Sequence, residues 1–208
     1  VLVDEAQDLS PMQWRMLGRR GRHSSWTVVG DAAQSVWPDP AESQAARENA
    51  WGGQEHRLFH MGTNYRNARE IFAYAAEVVR AEVPDADIPD AVRETGVTPR
   101  EVALATDLTA AATQVAAEVK SLLGEVEGSI AVICPDRYAA PLANLEVDGW
   151  TQDRVRVLDP LSTKGLEWDA TLVVDPGRIA AESAGGIRTL YVALTRAAHR
   201  MIVLRTDL

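Results

Sequence analysis

Short apolar runs recur along the chain at 1–3, 26–29, 57–60, 102–105, 130–133, 155–158, 171–174 and 201–204, with helix-period stretches between them. This alternation constrains the fold more than any other feature. A half-solvated antiparallel strand alternates apolar and polar residues, whereas short runs that are apolar on both sides fit parallel strands covered by helices on both faces. Ser10-Pro11 reads as an N-cap followed by a first-turn proline, opening a helix through Gly18. Spacing predicts further helices at 67–82, 109–123 and 187–199. The segment 83–100, with Pro84, Pro89, Pro99 and several acids, reads as a solvated loop. The expected class is therefore α/β with a largely parallel sheet, and a domain boundary is expected near Met61.

Composition bounds what such a chain can do. At 208 residues it can bury a real core, and its 46% apolar and 25% charged content is that of a soluble globular protein. No run approaches the ~18 apolar residues of a membrane span, so no membrane partner is expected. The chain begins directly on a strand-like run without a leader, which suggests that the natural N-terminus lies elsewhere. A single cysteine, Cys134, cannot form an internal disulfide. A reducing, cytoplasmic setting fits that usage, and the apolar run before Cys134 favours a packed core thiol. The net charge of −9 argues against holding nucleic acid by the whole surface, though not against a local arginine-lined groove.

Five segments carry candidate chemistry. Val1–3 runs into Asp4 and Glu5, a pattern in which one carboxylate can hold Mg²⁺ and the next can act as a base on water. An exposed acidic turn after a strand describes the pair as well. In TVVGDAAQSVW, Gln34 stands one turn beyond a strand and can touch a γ-phosphate, while Trp37 can stack on a base. A tight turn with a packed tryptophan is the plainer account. Asn64-Tyr65-Arg66 puts a guanidinium at a helix entrance, where it can reach a phosphate or simply form a surface ion pair. In LSTKGLEWD, Ser162, Thr163 and Lys164 can hold a nucleic-acid phosphate, Gly165 supplies a turn, and Glu167 can reach a nucleotide sugar; an ordinary strand–helix loop would look the same. In LYVALTRA, Arg196 is expected on a helix five residues after Tyr191, as a second arginine for a γ-phosphate or as part of an amphipathic helix.

Each segment is weak alone, but their order is specific. Together they resemble the UvrD/Rep-type superfamily 1 helicases over almost the whole chain. VDEAQD is similar to the Walker B motif, GDAAQS to motif III, NYR to motif IV, KGLEWD to motif V and YVALTRA to motif VI. The resemblance implies a RecA-like parallel sheet flanked by helices, with residues 1–60 the remnant of a first RecA-like domain and 61–208 a second. It implies ATP and Mg²⁺ bound between two such domains and single-stranded DNA as partner. It gives Asp4 to Mg²⁺, Glu5 to water activation, Gln34 to γ-phosphate sensing, Arg66 and Arg196 to arginine fingers, and Glu167 to the ribose.

The pattern is also broken. No G-x-x-x-x-G-K-[ST] loop is present, and the only lysines are Lys120 and Lys164. Family members usually carry T-x-H before the lysine-glycine of motif V, where this chain has Asp159 and Leu161. They usually carry an aromatic two residues after Trp37, where it has Asp39. Only about a hundred residues separate Arg66 from Lys164, too few for the inserted subdomain of unwinding members. That shortened form resembles the HelD-like branch, whose members act on RNA polymerase. The chain alone is expected to be inactive for want of the phosphate loop. A helicase-like scaffold without catalysis is a third reading, which the joint presence of Asp4, Glu5, Gln34, Arg66 and Arg196 disfavours.

Overall fold

The computed structural model describes residues 1–35, 39–82, 84, 88–143, 145, 147–183 and 185–206. The chain divides into two compact units, Val1–Met61 and Gly62–Leu208.

In the first unit, β1 (Leu2–Val3) pairs in parallel with β2 (Thr27–Val28). Between them runs α1 (Pro11–Arg20), opened by a full capping box: Ser10 accepts the Gln13 N–H, and the Gln13 side chain accepts the Ser10 N–H. The second helix, α2 (Pro40–Ala50), is capped by Asp39, whose carboxylate accepts the Glu42 N–H at 2.9 Å. Asp39, standing where the helicases this chain resembles usually carry an aromatic, therefore has a helix-starting task. The two helices touch backbone to backbone. A Cβ at Gly18 would stand 2.9 Å from the Ala50 Cα, so only glycine fits. Trp14 is fully buried beneath them, with its ring 6.3 Å from that of Trp51 in an edge-on contact.

In the second unit, β3 (Thr63–Ala68) leads directly into α3 (Arg69–Glu82), and β4 (Asp90–Arg93) pairs with β3. Then follow β5 (Arg100–Ala103), α4 (Leu108–Glu125), β6 (Ile130–Ile133), α5 (Asp136–Ala143), β7 (Val155–Leu158), β8 (Trp168–Val174), α6 (Pro176–Glu182), α7 (Ile187–Leu194) and β9 (Ala197–Arg205). Five strands form one sheet in the order β5-β9-β8-β6-β7, every pair parallel. Alternate residues of β6 face opposite sides. Ile130 and Val132 pack with α4 and α5, and Ala131 and Ile133 with Trp168 and Ala193 of α7. Both faces are covered, as the two-sided apolar runs predict. Cys134, at the end of β6, is buried.

The structure corrects several expected elements. Residues 57–60 form no strand; Leu58 and Phe59 are 92% and 80% exposed and the strand lies instead at 63–68. Residues 67–68 belong to that strand, so α3 starts at Arg69. The loop expected at 83–100 contains β4, which pairs with β3 across the whole of α3 (Thr63 with Asp90, Ala68 with Arg93) rather than locally. The last helix stops at Leu194, not at 199. The Thr195 hydroxyl donates back to Tyr191 O and Val192 O, and Ala197 then enters the interior strand β9. Helices α2, α5 and α6 were not expected: α2 has only a weak apolar periodicity, and α5 and α6, at 8 and 7 residues, are too short for spacing to announce them.

Candidate functional site

At the carboxyl ends of β1 and β2 the first unit gathers its polar residues. Parallel α/β sheets present their ligand crevices at this edge. Beyond Val3 the backbone turns sharply, with Glu5 in the left-handed region at φ 50 and ψ 43. For a non-glycine residue that costs about 1–2 kcal/mol, and such outliers gather at functional sites. Asp4 Oδ1 accepts the Glu5 N–H, and the buried Gln7 donates from Nε2 to Glu5 Oε2 at 2.6 Å. Gln7 Oε1 in turn accepts the Asp31 N–H at 2.9 Å. Asp31 then receives the Ala33 N–H on Oδ1 and the Gln34 side-chain amide on Oδ2 at 2.8 Å. Glu5, Gln7, Asp31 and Gln34 thus form one relay across two strand ends. Gly30 makes the approach possible, because a Cβ there would meet Gln7 Oε1 at 2.9 Å. Trp37 lies outside the described residues.

In the second unit, β3 presents Asn64, Tyr65 and Arg66. Asn64 Oδ1 accepts the N–H groups of Arg66 and Asn67, shaping the exposed strand around the arginine. Arg66 Nε meets Glu167 Oε2 at 3.1 Å, so the candidate phosphate-binding and ribose-binding groups stand together on a half-exposed surface. The neighbouring Asn67 is buried. Its Nδ2 donates to Thr195 O at 2.8 Å and Ala197 O at 2.7 Å, the two carbonyls flanking Arg196. Arg93 of β4 donates to the next carbonyl, that of Ala198. These donors converge where the β8–β9 register slips between Trp168 and Ala170, the place where ladder bonds are interrupted.

Arg196 is therefore in the turn between α7 and β9 rather than on a helix, and is 4% exposed. Its Nε donates to Val192 O at 2.8 Å, one terminal nitrogen to Leu166 O at 3.3 Å and the other to Thr195 Oγ1 at 3.0 Å. The guanidinium staples the α7 end to the loop that carries Glu167.

That loop begins with Asp159, which accepts the N–H groups of Leu161 and Ser162 at 3.0 Å and the Ser162 hydroxyl. Partial burial pushes the Asp159 carboxyl up, but these hydrogen bonds, led by the Ser162 hydroxyl, outweigh it and hold the group below its ordinary value. Asp159, standing where the helicases this chain resembles usually carry threonine, thus ties down the first backbone N–H groups of the 3-10 turn Leu161–Thr163, whose N-cap is Pro160. Thr163 is fully buried and donates to Pro160 O at 2.6 Å, so its hydroxyl is not offered to a ligand. Ser162 and Gly165 are exposed and Lys164 partly so; Gly165 has φ +68, which glycine adopts without strain.

Residues 1–38 match the UvrD/REP helicase N-terminal domain family, and residues 155–204 match the UvrD-like helicase C-terminal domain family. Both ends of the chain are thus similar to UvrD-type helicase domains. The first match holds Asp4, Glu5 and Gln34, and the second the loop of Lys164 and the turn of Arg196. The chain is 37% identical over 90 residues to the RecBCD enzyme subunit RecB of two Mycobacterium tuberculosis strains, covering 42% of this chain and 8% of theirs. Its fold resembles the C-terminal domain of a possible DNA helicase from Lactobacillus plantarum WCFS1, with TM-score 0.50 and 19% identity over 70% of this chain and 89% of that one. It also resembles the PRRSV helicase, with TM-score 0.52 and 14% identity over 99% of this chain and 34% of that one. The second unit's parallel sheet is accordingly RecA-like.

Three residues take structural roles that sequence reasoning did not assign to them. Gln7 and Asp31 join the acidic pair to Gln34, and Asn67 joins the arginine strand to the Arg196 turn. The one available signal was Gln7 inside VDEAQD, where a buried amide can donate and accept at once.

Proposed function

We propose that the chain is part of an ATP-dependent DNA helicase or translocase that couples ATP hydrolysis to movement on single-stranded DNA. Residues 1–60 are read as the tail of a first RecA-like domain and 61–208 as a second. The observation that carries the reading is the relay Glu5–Gln7–Asp31–Gln34 at a carboxyl strand edge. It joins a candidate base to a candidate phosphate sensor through two hydrogen-bonded intermediaries, so that contact at Gln34 can alter how Glu5 is held.

Asp4 suits Mg²⁺, which takes one or two protein carboxylates and fills its remaining positions with substrate phosphates and water. Its carboxylate is exposed, with Oδ1 on the Glu5 N–H. When bound, the ion would withdraw charge from the phosphates. Glu5 orients the attacking water and accepts its proton. Arg66 supplies a guanidinium to the γ-phosphate, with Glu167 holding it at rest and then serving the ribose. Arg196 acts from a buried position, fixing the Glu167 loop and lending its charge; a direct phosphate contact requires that its bonds to Val192 and Leu166 open. Ser162 and Lys164 face the strand's phosphates, with Gly165 permitting the turn.

Among the described residues of 67–163, every helix and strand belongs to the second unit and none forms an inserted subdomain. That favours translocation over unwinding. It equally suits the second reading, a HelD-like motor that remodels RNA polymerase. The deciding experiment measures ATPase activity of a protein carrying this chain together with a phosphate-binding loop, with and without single-stranded DNA, and with Glu5→Gln as control. Stimulation by DNA supports the strand-tracking motor. Activity indifferent to DNA refutes it and points to a protein substrate.

A further inference from the structure

The first unit carries a second concavity, unrelated to the acidic pair. A cleft of about 670 Å³ opens between the carboxyl ends of α1 and α2, lined by Arg15, Arg19, Arg22, Asn49, Trp51 and Gln54 over a floor of Gly18, Ala46 and Ala50. It lies at the opposite edge of β1 and β2. Gly21, which ends α1, packs against Val1 and Trp26 at the strands' amino ends, and the Trp26 ring donates to Gly21 O at 3.2 Å.

Every charged residue lining the cleft is an arginine, in a chain whose net charge is −9. Arg15 and Arg19 are one helical turn apart on α1, about 6 Å along its axis, and Arg22 lies just beyond the helix end, after the Gly21 cap. All three are exposed; Arg15 makes a long surface contact of 3.6 Å with Glu42, and neither Arg19 nor Arg22 forms an ion pair among the described residues. Compensation of the α1 dipole accounts for Arg19 and Arg20 at a helix end. It does not account for three guanidinium groups meeting over one cleft with a partly exposed tryptophan and two amides.

We propose that this cleft is a further binding surface for a nucleic-acid single strand, with the arginines on its phosphates and Trp51 against a base. A basic groove with an aromatic platform is what sequence-tolerant strand binding uses. An acidic peptide is the weaker fit, because apart from Trp51 the walls offer only alanine methyls and no pocket for an apolar anchor. The inference deepens the strand-tracking reading and takes from it the identity of the ligand. It adds a contact at the amino edge of the first unit's strands, away from Ser162 and Lys164.

The test titrates the 208-residue chain against fluorescein-labelled oligo(dT) over a salt series. It compares the wild type with an Arg19→Ala/Arg22→Ala variant and, separately, with Lys164→Ala. Both arginines are exposed, and circular dichroism verifies that the variant keeps its fold. The expected result is an affinity loss of tenfold or more in the double variant. The slope of log K against log salt should flatten by about 1.4, since each phosphate contact contributes about 0.7 on a single strand. That loss supports the cleft whatever Lys164→Ala does, and an independent loss in Lys164→Ala keeps the loop on the strand's path as the strand-tracking reading requires. A wild-type chain that does not bind, or a double variant that binds like wild type whatever Lys164→Ala does, overturns the cleft. Displacement by a glutamate-rich peptide as readily as by unlabelled oligo(dT) also overturns it, in favour of an acidic protein partner.

Discussion

Replacing Asn67 by alanine should destabilise the second unit more than any other single polar substitution on its surface-facing strand β3. The side chain is 3% exposed and its amide donates to two carbonyls, Thr195 O at 2.8 Å and Ala197 O at 2.7 Å. Its own oxygen accepts the Asn64 amide at 2.9 Å. Truncation leaves two buried acceptors without that donor, at roughly 1–3 kcal/mol each. Because a water can partly re-enter, about 2–4 kcal/mol in total is expected, a large share of the roughly 5–15 kcal/mol that stabilises a domain. With roughly 2–4 °C lost per kcal/mol in a domain of this size, the melting midpoint should fall by about 5–15 °C. Urea unfolding followed by the far-ultraviolet signal reports the change, and Trp168, buried against Ala193 of α7, adds a local fluorescence probe. Asn67→Asp sharpens the test. It keeps the shape but turns a donor into a charged acceptor facing two carbonyls, so it should cost at least as much as alanine. If Asn67→Ala lies within about 0.5 kcal/mol of wild type, the ordinary range for surface changes, the clamp does not hold the Arg196 turn and the reasoning fails.

Three further outcomes are expected. The purified 208-residue chain should turn over ATP negligibly, since it has no G-x-x-x-x-G-K-[ST] loop to supply preorganised donors; measurable phosphate release that Glu5→Gln abolishes would refute this. Gly30→Ala places a methyl 2.9 Å from Gln7 Oε1 and should break the bond from the Asp31 N–H, costing about 1–3 kcal/mol in the first unit. Thermal unfolding tracked by tryptophan fluorescence checks it, and an unchanged melt would mean that Gln7 has room to move. Burial pushes the Cys134 thiol from 9.0 up to about 12, with Asp136 and Asp159 adding to it, so a disulfide reagent at pH 8 should label it only after denaturation. The sign for stability follows. From about pH 9 to 12 the unfolded thiol loses its proton before the folded one, so stability falls as pH rises, and burial of Tyr74 and Tyr138 acts in the same direction.

What the sequence determined by itself is local. The strands at 130–133 and 155–158 fall where the runs predict them, because a segment apolar on both sides is stable only inside a sheet covered on both faces. The Ser10-Pro11 helix start was legible because a capping box is built from neighbours. Each of the five motif segments is likewise a short run of side-chain chemistry that the chain carries with it. What tertiary structure decided is where distant segments meet. The residues 195–199 have enough helical spacing to continue α7, yet the interior place between β8 and β5 draws 197–205 into a strand, where backbone groups gain partners on both edges. Strand β4 exists because β3 lies beside it. Arg196 is buried, and Asn67 clamps it from 128 residues away at Thr195, through contacts that no local pattern encodes. Hydrogen bonds between segments so far apart depend on which strands become neighbours, and that is set by the packing of the whole sheet rather than by any window of residues.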